Sequence, residues 1–189
     1  MRLFIAVLVP EDIKAEIESA QAQLRRALPE GAVRWAKREQ FHLTLRFLGS
    51  VEPPRVPALT EAVRAACQNF AALSLRAEGI GCFPDARFPR VVWVGVADLQ
   101  QQLPRLQTAV QVASQEFTTE KPEDRFTGHV TLGRIKKIKR PETEALAKAT
   151  TPLAQRTFGE WTVGAIHIMQ SELSPQGARH SILAPIPLL

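Results

Sequence analysis

Apolar positions along this chain switch between a period of two and a period near 3.6, and the switches lay out strands alternating with helices. Residues 2–9 read as a first strand. Ile13, Ile17, Leu24 and Leu28 then share one face of a helix over 11–28, with Glu11 and Asp12 at its N-terminus, where acidic side chains suit the helix dipole. Val33 to Trp35 is a short strand. His42 to Leu48 alternates His42, Thr44 and Arg46 against Leu43, Leu45 and Phe47, and Gly49 stops it. Pro53 and Pro54 precede a helix carrying Val56, Leu59, Val63, Cys67 and Phe70 at helical spacing.

The second half repeats the order. A strand around 73–82 leads to the turn signal Pro84-Asp85. Residues 91–96 are β-rich and apolar on both faces. Leu99, Leu103, Leu106, Val110 and Phe117 mark a third helix, and a polar loop follows over 120–124. His129 to Ile135 is a strand, and Pro141 opens a short helix. Thr162–Leu173 and Ser181–Ile186 read as a closing hairpin with Pro175-Gln176-Gly177 in its turn. No linker, low-complexity tract or composition shift divides the 189 residues, so one bilobal α+β domain over 1–189 is expected.

Two of the four histidines fall in the same local pattern, His42-Leu43-Thr44-Leu45 and His129-Val130-Thr131-Leu132. They lie 87 residues apart (129 − 42), and each follows a long helix. This predicts a weak duplication: two lobes with a cleft between them and one motif from each half. In a strand, residues i and i+2 share a face, so each copy presents one imidazole and one hydroxyl on one side and two aliphatic chains on the other. Facing each other, the copies supply what metal-free phosphodiester cleavage requires: a base, an acid and donors for the phosphate oxygens. An unperturbed imidazole titrates near 6.5, so on sequence alone either histidine suits either role. Arg46 shares the His42 face by strict alternation and is a further candidate for the phosphate. Strict alternation turns Arg134 away from His129, unless Gly133 forms a bulge or ends the strand.

The formal charge of +5, with seventeen arginines among 24 cations, suits either phosphate contacts or a solvated surface. Lys136-Lys137-Ile138-Lys139-Arg140 reads as a solvated turn or as an electrostatic guide for RNA. Trp35, Trp93 and Trp161 read as core or half-buried, and His167 as structural. Tyrosine is absent. No nucleophile elbow, Walker loop or dinucleotide fingerprint appears, and His-x-Thr is not a metal-ligand spacing, so neither metal nor cofactor is expected. Two cysteines, no apolar run long enough to span a membrane and an opening segment too short for a signal peptide indicate a cytoplasmic protein.

The chain resembles the two-histidine phosphoesterase superfamily, and within it the RNA 2′,3′-cyclic phosphodiesterases formerly called 2′-5′ RNA ligases. The resemblance runs nearly end to end. It rests on residues 2–6, Phe41 to Gly49, residues 91–94, His129 to Arg134, and Gln170 to Leu173 with Gly177. It implies two antiparallel β-sheets facing each other across a V-shaped cleft, with helices outside and pseudo-two-fold symmetry. It implies hydrolysis of a terminal 2′,3′-cyclic phosphate on RNA to a 2′-phosphate, with His42 as proton donor, His129 as proton acceptor, and Thr44, Thr131 and Arg134 holding the phosphate. Some members also join RNA ends through a 2′-5′ linkage, the same chemistry reversed. No obligatory protein partner is implied, and a monomer is expected. The family often has an aromatic residue, commonly tyrosine, where this chain has His180. A related phosphodiesterase acting on small cyclic nucleotides or 2′-5′ oligonucleotides, and a non-catalytic RNA-binding module, are the competing readings.

Overall fold

The computed structural model describes residues 1–174 and 177–189. The described elements are β1 (Arg2–Leu8), α1 (Glu11–Arg26), β2 (Val33–Trp35), β3 (His42–Ser50), α2 (Val56–Cys67), β4 (Leu73–Phe83), β5 (Val91–Asp98), α3 (Leu103–Ser114), β6 (His129–Ile135), α4 (Arg140–Thr150), β7 (Thr157–Val163), β8 (Ala165–Ser174) and β9 (Gly177–Pro187). Every strand pairing is antiparallel, in the order β7-β4-β5-β6-β3-β1-β8-β9, with β2 added along β6. The two sheets expected from the sequence are therefore two four-stranded halves, β7-β4-β5-β6 and β3-β1-β8-β9. They meet at one register pair, Leu43 opposite Val130. That pair is the second residue of each His-x-Thr motif, so the pseudo-two-fold axis runs between the motifs.

All four helices back one side of this curved sheet. Ile13, Ile17 and Leu24 of α1, Leu59 and Val63 of α2, Leu106 and Val110 of α3 and Leu146 of α4 join Leu3, Ile5, Leu43, Leu45, Val130 and Leu132 in one core. Helices α2 and α3 lie against β9 and β3, α1 lies against β7, and α4 packs on α1. The opposite, concave face carries a smaller apolar cluster of Phe4, Ala6 and Met169 with Leu8 and Phe47. Among the described residues no helix is long and apolar enough to cross a membrane.

The expected hairpin needs correction. Thr162–Leu173 is not one strand: β7 ends at Val163 and pairs with β4, whereas β8 begins at Ala165 and pairs with β1. Gly164 is the point where the chain leaves one half of the sheet for the other. Beyond it, β8 and β9 do pair as expected. Pro175 and Gln176 of the expected turn lie outside the described residues.

Candidate active site

The site follows from the register at the seam. With Leu43 opposite Val130 and both fully buried, their neighbours must point the other way. In an antiparallel pair this sets His42 across from Thr131 and Thr44 across from His129. All four line a cleft of about 490 Å³ on the concave face. Such a volume suits a nucleotide-sized ligand.

Each motif runs into a bulge, and the two bulges match. In β3, Thr44 pairs with Ala6 and Arg46 with Ile5, so Leu45 is the extra residue. In β6, Thr131 pairs with Trp93 and Gly133 with Val92, so Leu132 is the extra residue. Each bulge shifts the alternation by one. Arg134 thereby comes onto the cleft face, as the Gly133 bulge reading expected, and lines it beside His129 and Thr131. The same shift turns Arg46 away, so its candidacy for the phosphate is corrected. Arg46 is only 2 % exposed. Its guanidinium donates to the Lys121 and Glu120 carbonyls at 2.7 Å each and to Gln115 Oε1 at 3.3 Å, tying the 115–121 segment to β3. Phe47 takes the place on β3 that Arg134 holds on β6.

Two buried helix glutamines hold the bulges. Gln21 of α1 donates Nε2 to the Leu132 carbonyl at 2.9 Å and to Ala36 O at 2.8 Å. Gln107 of α3 donates Nε2 to the Leu45 carbonyl at 3.4 Å. Gln107 supplies a side-chain donor to the Leu45 carbonyl, whereas the Leu132 carbonyl also accepts from the Ala36 backbone N–H at 2.8 Å, so Gln21 is its second donor and ties Ala36 and Leu132 together.

The two imidazoles are supported alike but surrounded differently. His129 Nδ1 lies 2.8 Å from the carbonyl of Thr127, two residues back, which leaves Nε2 for the cleft. His42 is likewise hydrogen-bonded to the backbone of the residue two before it, Gln40. Around His42, Phe4 lies 4.8 Å away and His180 5.2 Å, centroid to centroid. Burial, with a smaller contribution from the neighbouring His180, pushes His42 down to about 4; the Gln40 backbone opposes this. His129 has the Phe83 ring edge-on at 5.0 Å and Trp93 at 6.4 Å.

Several cleft residues were not singled out from sequence. Arg2 lines it, exposed, with its guanidinium 5.2 Å from the Phe47 ring. Arg34 lines it directly across from Arg134 in the β2–β6 pair. Phe4, Phe47 and His180 give it an aromatic wall, and among the described residues no acidic side chain lines it. Gly133 permits the approach of β2, because a Cβ there would stand 2.7 Å from Val33 Cγ1 and 2.9 Å from Trp35 Cε3. Trp35 lines the cleft half-buried, Trp93 is half-buried and Trp161 buried. The basic run 136–140 is an exposed connection into α4, apart from half-buried Ile138, and lines no part of the cleft. His167 sits on β8 away from the motifs, and burial lowers it. Among the described residues no group of three His, Cys, Asp or Glu side chains is placed to hold a metal ion. A shallow groove of about 720 Å³ around Phe70 and Val112 is mostly apolar and holds no acid–base pair.

The family model described as LigT like Phosphoesterase matches twice, over residues 7–93 and 94–180. The second match is offset from the first by the separation of the two motif histidines. An RNA 2′,3′-cyclic phosphodiesterase of Archaeoglobus fulgidus is 32% identical over 94% of this chain and 94% of its own. One from Aeropyrum pernix is 37% identical over 77% of this chain and 80% of its own. A crystal structure from Thermus thermophilus superposes with a TM-score of 0.79 at 28% identity, covering 100% of this chain and 98% of that one.

Proposed function

The chain belongs to the LigT-like phosphoesterase family, and from that premise we propose that it is a metal-independent RNA 2′,3′-cyclic phosphodiesterase, one bilobal domain in which each half supplies one His-x-Thr motif. The observation that carries this reading is the seam pair Leu43–Val130, which gathers His42, Thr44, His129 and Thr131 on one face. Water attacks the cyclic phosphorus as His129 Nε2 takes its proton. The bond from phosphorus to O3′ breaks, and His42 gives O3′ a proton. A 2′-phosphomonoester and a free 3′-hydroxyl result, and the two imidazoles exchange their proton with solvent before the next turnover. Thr44, Thr131 and Arg134 donate to the non-bridging oxygens, where charge builds in the transition state. The reaction takes place in the cytoplasm, where Cys67 and Cys82 stay free thiols.

The test is a short RNA ending in a 2′,3′-cyclic phosphate, incubated in EDTA with the wild type and with His42→Ala and His129→Ala. Each proton transfer is worth about 10²–10⁴ in rate, so each variant loses at least that much. A 2′-phosphate product from wild type alone is expected. A 3′-phosphate product, a requirement for metal, or full activity in either variant refutes the reading.

A further inference from the structure

The cleft holds more positive charge than a cyclic phosphate needs. A cyclic phosphodiester carries one negative charge, and Arg134 beside the histidines balances it. Arg34 and Arg2 also line the cleft, and among the described residues no carboxylate does. Some arginines elsewhere are ion-paired, among them Arg38 with Glu11 and Glu18, Arg76 with Glu160 and Glu78, and Arg156 with Glu16. Among the described residues neither Arg34 nor Arg134 has a carboxylate within 4.0 Å.

Arg34 and Arg134 are direct register partners and therefore share a face. Like charges in that position repel, and β2 has only three residues with which to absorb the repulsion. Gly133 seats β2 closely on β6, so Arg34 is fixed beside Arg134 by the backbone. Two adjacent guanidiniums without an acid between them form a site for two anionic groups in succession.

Resting on the activity proposed above, we infer that Arg34 binds the phosphodiester one nucleotide upstream of the cyclic end, so that the substrates are oligoribonucleotides rather than free cyclic mononucleotides. Arg34 is a specificity residue; it takes no part in the proton transfers.

The experiment compares kcat/KM on a nucleoside 2′,3′-cyclic phosphate with that on a trinucleotide ending in the same group, for wild type, Arg34→Gln and Arg34→Lys, over a range of salt. Wild type prefers the trinucleotide by about tenfold or more, the worth of one charge-assisted phosphate contact. Arg34→Gln narrows that ratio by about tenfold, and its dependence of log(kcat/KM) on log[salt] is shallower by about 0.7 for the trinucleotide. Arg34→Lys keeps the salt slope. Equal losses on both substrates would place Arg34 on the cyclic phosphate itself and overturn the inference, as would a wild type indifferent to length. Should wild type hydrolyse neither substrate, the proposed activity fails. The inference is then read from anisotropy with a labelled trinucleotide 3′-phosphate: about tenfold weaker binding in Arg34→Gln supports it, and unchanged affinity overturns it.

Discussion

His42 is asked to donate a proton near neutral pH, yet in the free protein it is held at about 4. The deficit from its ordinary 6.5 corresponds to about 3 kcal/mol. The substrate must restore it. A phosphate anion about 4 Å from the imidazole, in surroundings of effective dielectric about 20, is worth about 4 kcal/mol. That attraction slightly exceeds the deficit and returns His42 to about 7 in the complex. The assay is a histidine-resolved NMR titration of the His129→Gln variant, in which turnover is blocked, free and with a nucleoside 2′,3′-cyclic phosphate whose single charge is constant over the range. His42 is expected to titrate near 4 free and near 7 bound. Linkage is reciprocal, so the cyclic nucleotide binds about tenfold more tightly for each pH unit descended between those two values. A His42 that stays below 5 in the complex refutes the reasoning: it would be the proton acceptor, and His129 the donor.

Three further outcomes are expected from the same contacts. Unfolded His42 takes a proton near 6.5 and folded His42 only near 4, so within that window the unfolded state binds more protons; stability is full above the window and falls by about 3 kcal/mol as pH descends through it. Urea midpoints at pH 7 and pH 4.5 should differ less in His42→Gln than in wild type, and equal differences would contradict the buried neutral imidazole. Gln107→Leu takes the side-chain donor from the Leu45 carbonyl and Gln21→Leu takes it from the Ala36 carbonyl, each costing about 1–3 kcal/mol of stability, and kcat should fall with little change in KM because the motif strands are less firmly held. Arg46→Met unties the 115–121 segment and should cost about 3 kcal/mol or more by urea denaturation while leaving kcat/KM little changed at a permissive temperature; loss of activity without loss of stability would return Arg46 to the phosphate site.

Features written in local periodicity were legible in the sequence. The motif strands and the first three helices show in the spacing of apolar residues, the fourth helix in Pro141, and the duplication in the repeated His-x-Thr pattern. Arg46 and β7 were misread for specific reasons. The bulge at Leu45 carries no compositional mark, because Arg46 occupies the place that Gly133 holds in the other half and Phe47 continues the apolar alternation. In β6 the glycine itself raised the possibility of a bulge. Strand β7 runs into β8 with only Gly164 between them, and a strand pattern does not show that the chain has crossed between sheet halves. The glutamines, Arg2 and Arg34 gain their significance only from tertiary register, since each acts on a strand distant in sequence.

Duplication by itself yields a site with two equivalent histidines, and such a site has no preferred direction for moving a proton. The asymmetry comes from the residue each half places after its motif. The bulged strand of one half brings Phe47 into the cleft, under Arg2 and beside the Phe4 and His180 that enclose His42. The bulged strand of the other brings Arg134, reinforced by Arg34 on the adjoining strand. Both imidazoles pack on aromatic rings, His42 on Phe4 and His129 on Phe83, and His180 adds a second imidazole beside His42. An anion drawn into the cleft favours the protonated form of His42, because burial in low-dielectric surroundings strengthens every charge that imidazole feels. The backbone device is the same in both halves, a bulge held by a buried helix glutamine; the residue it delivers to the cleft gives the two histidines different work.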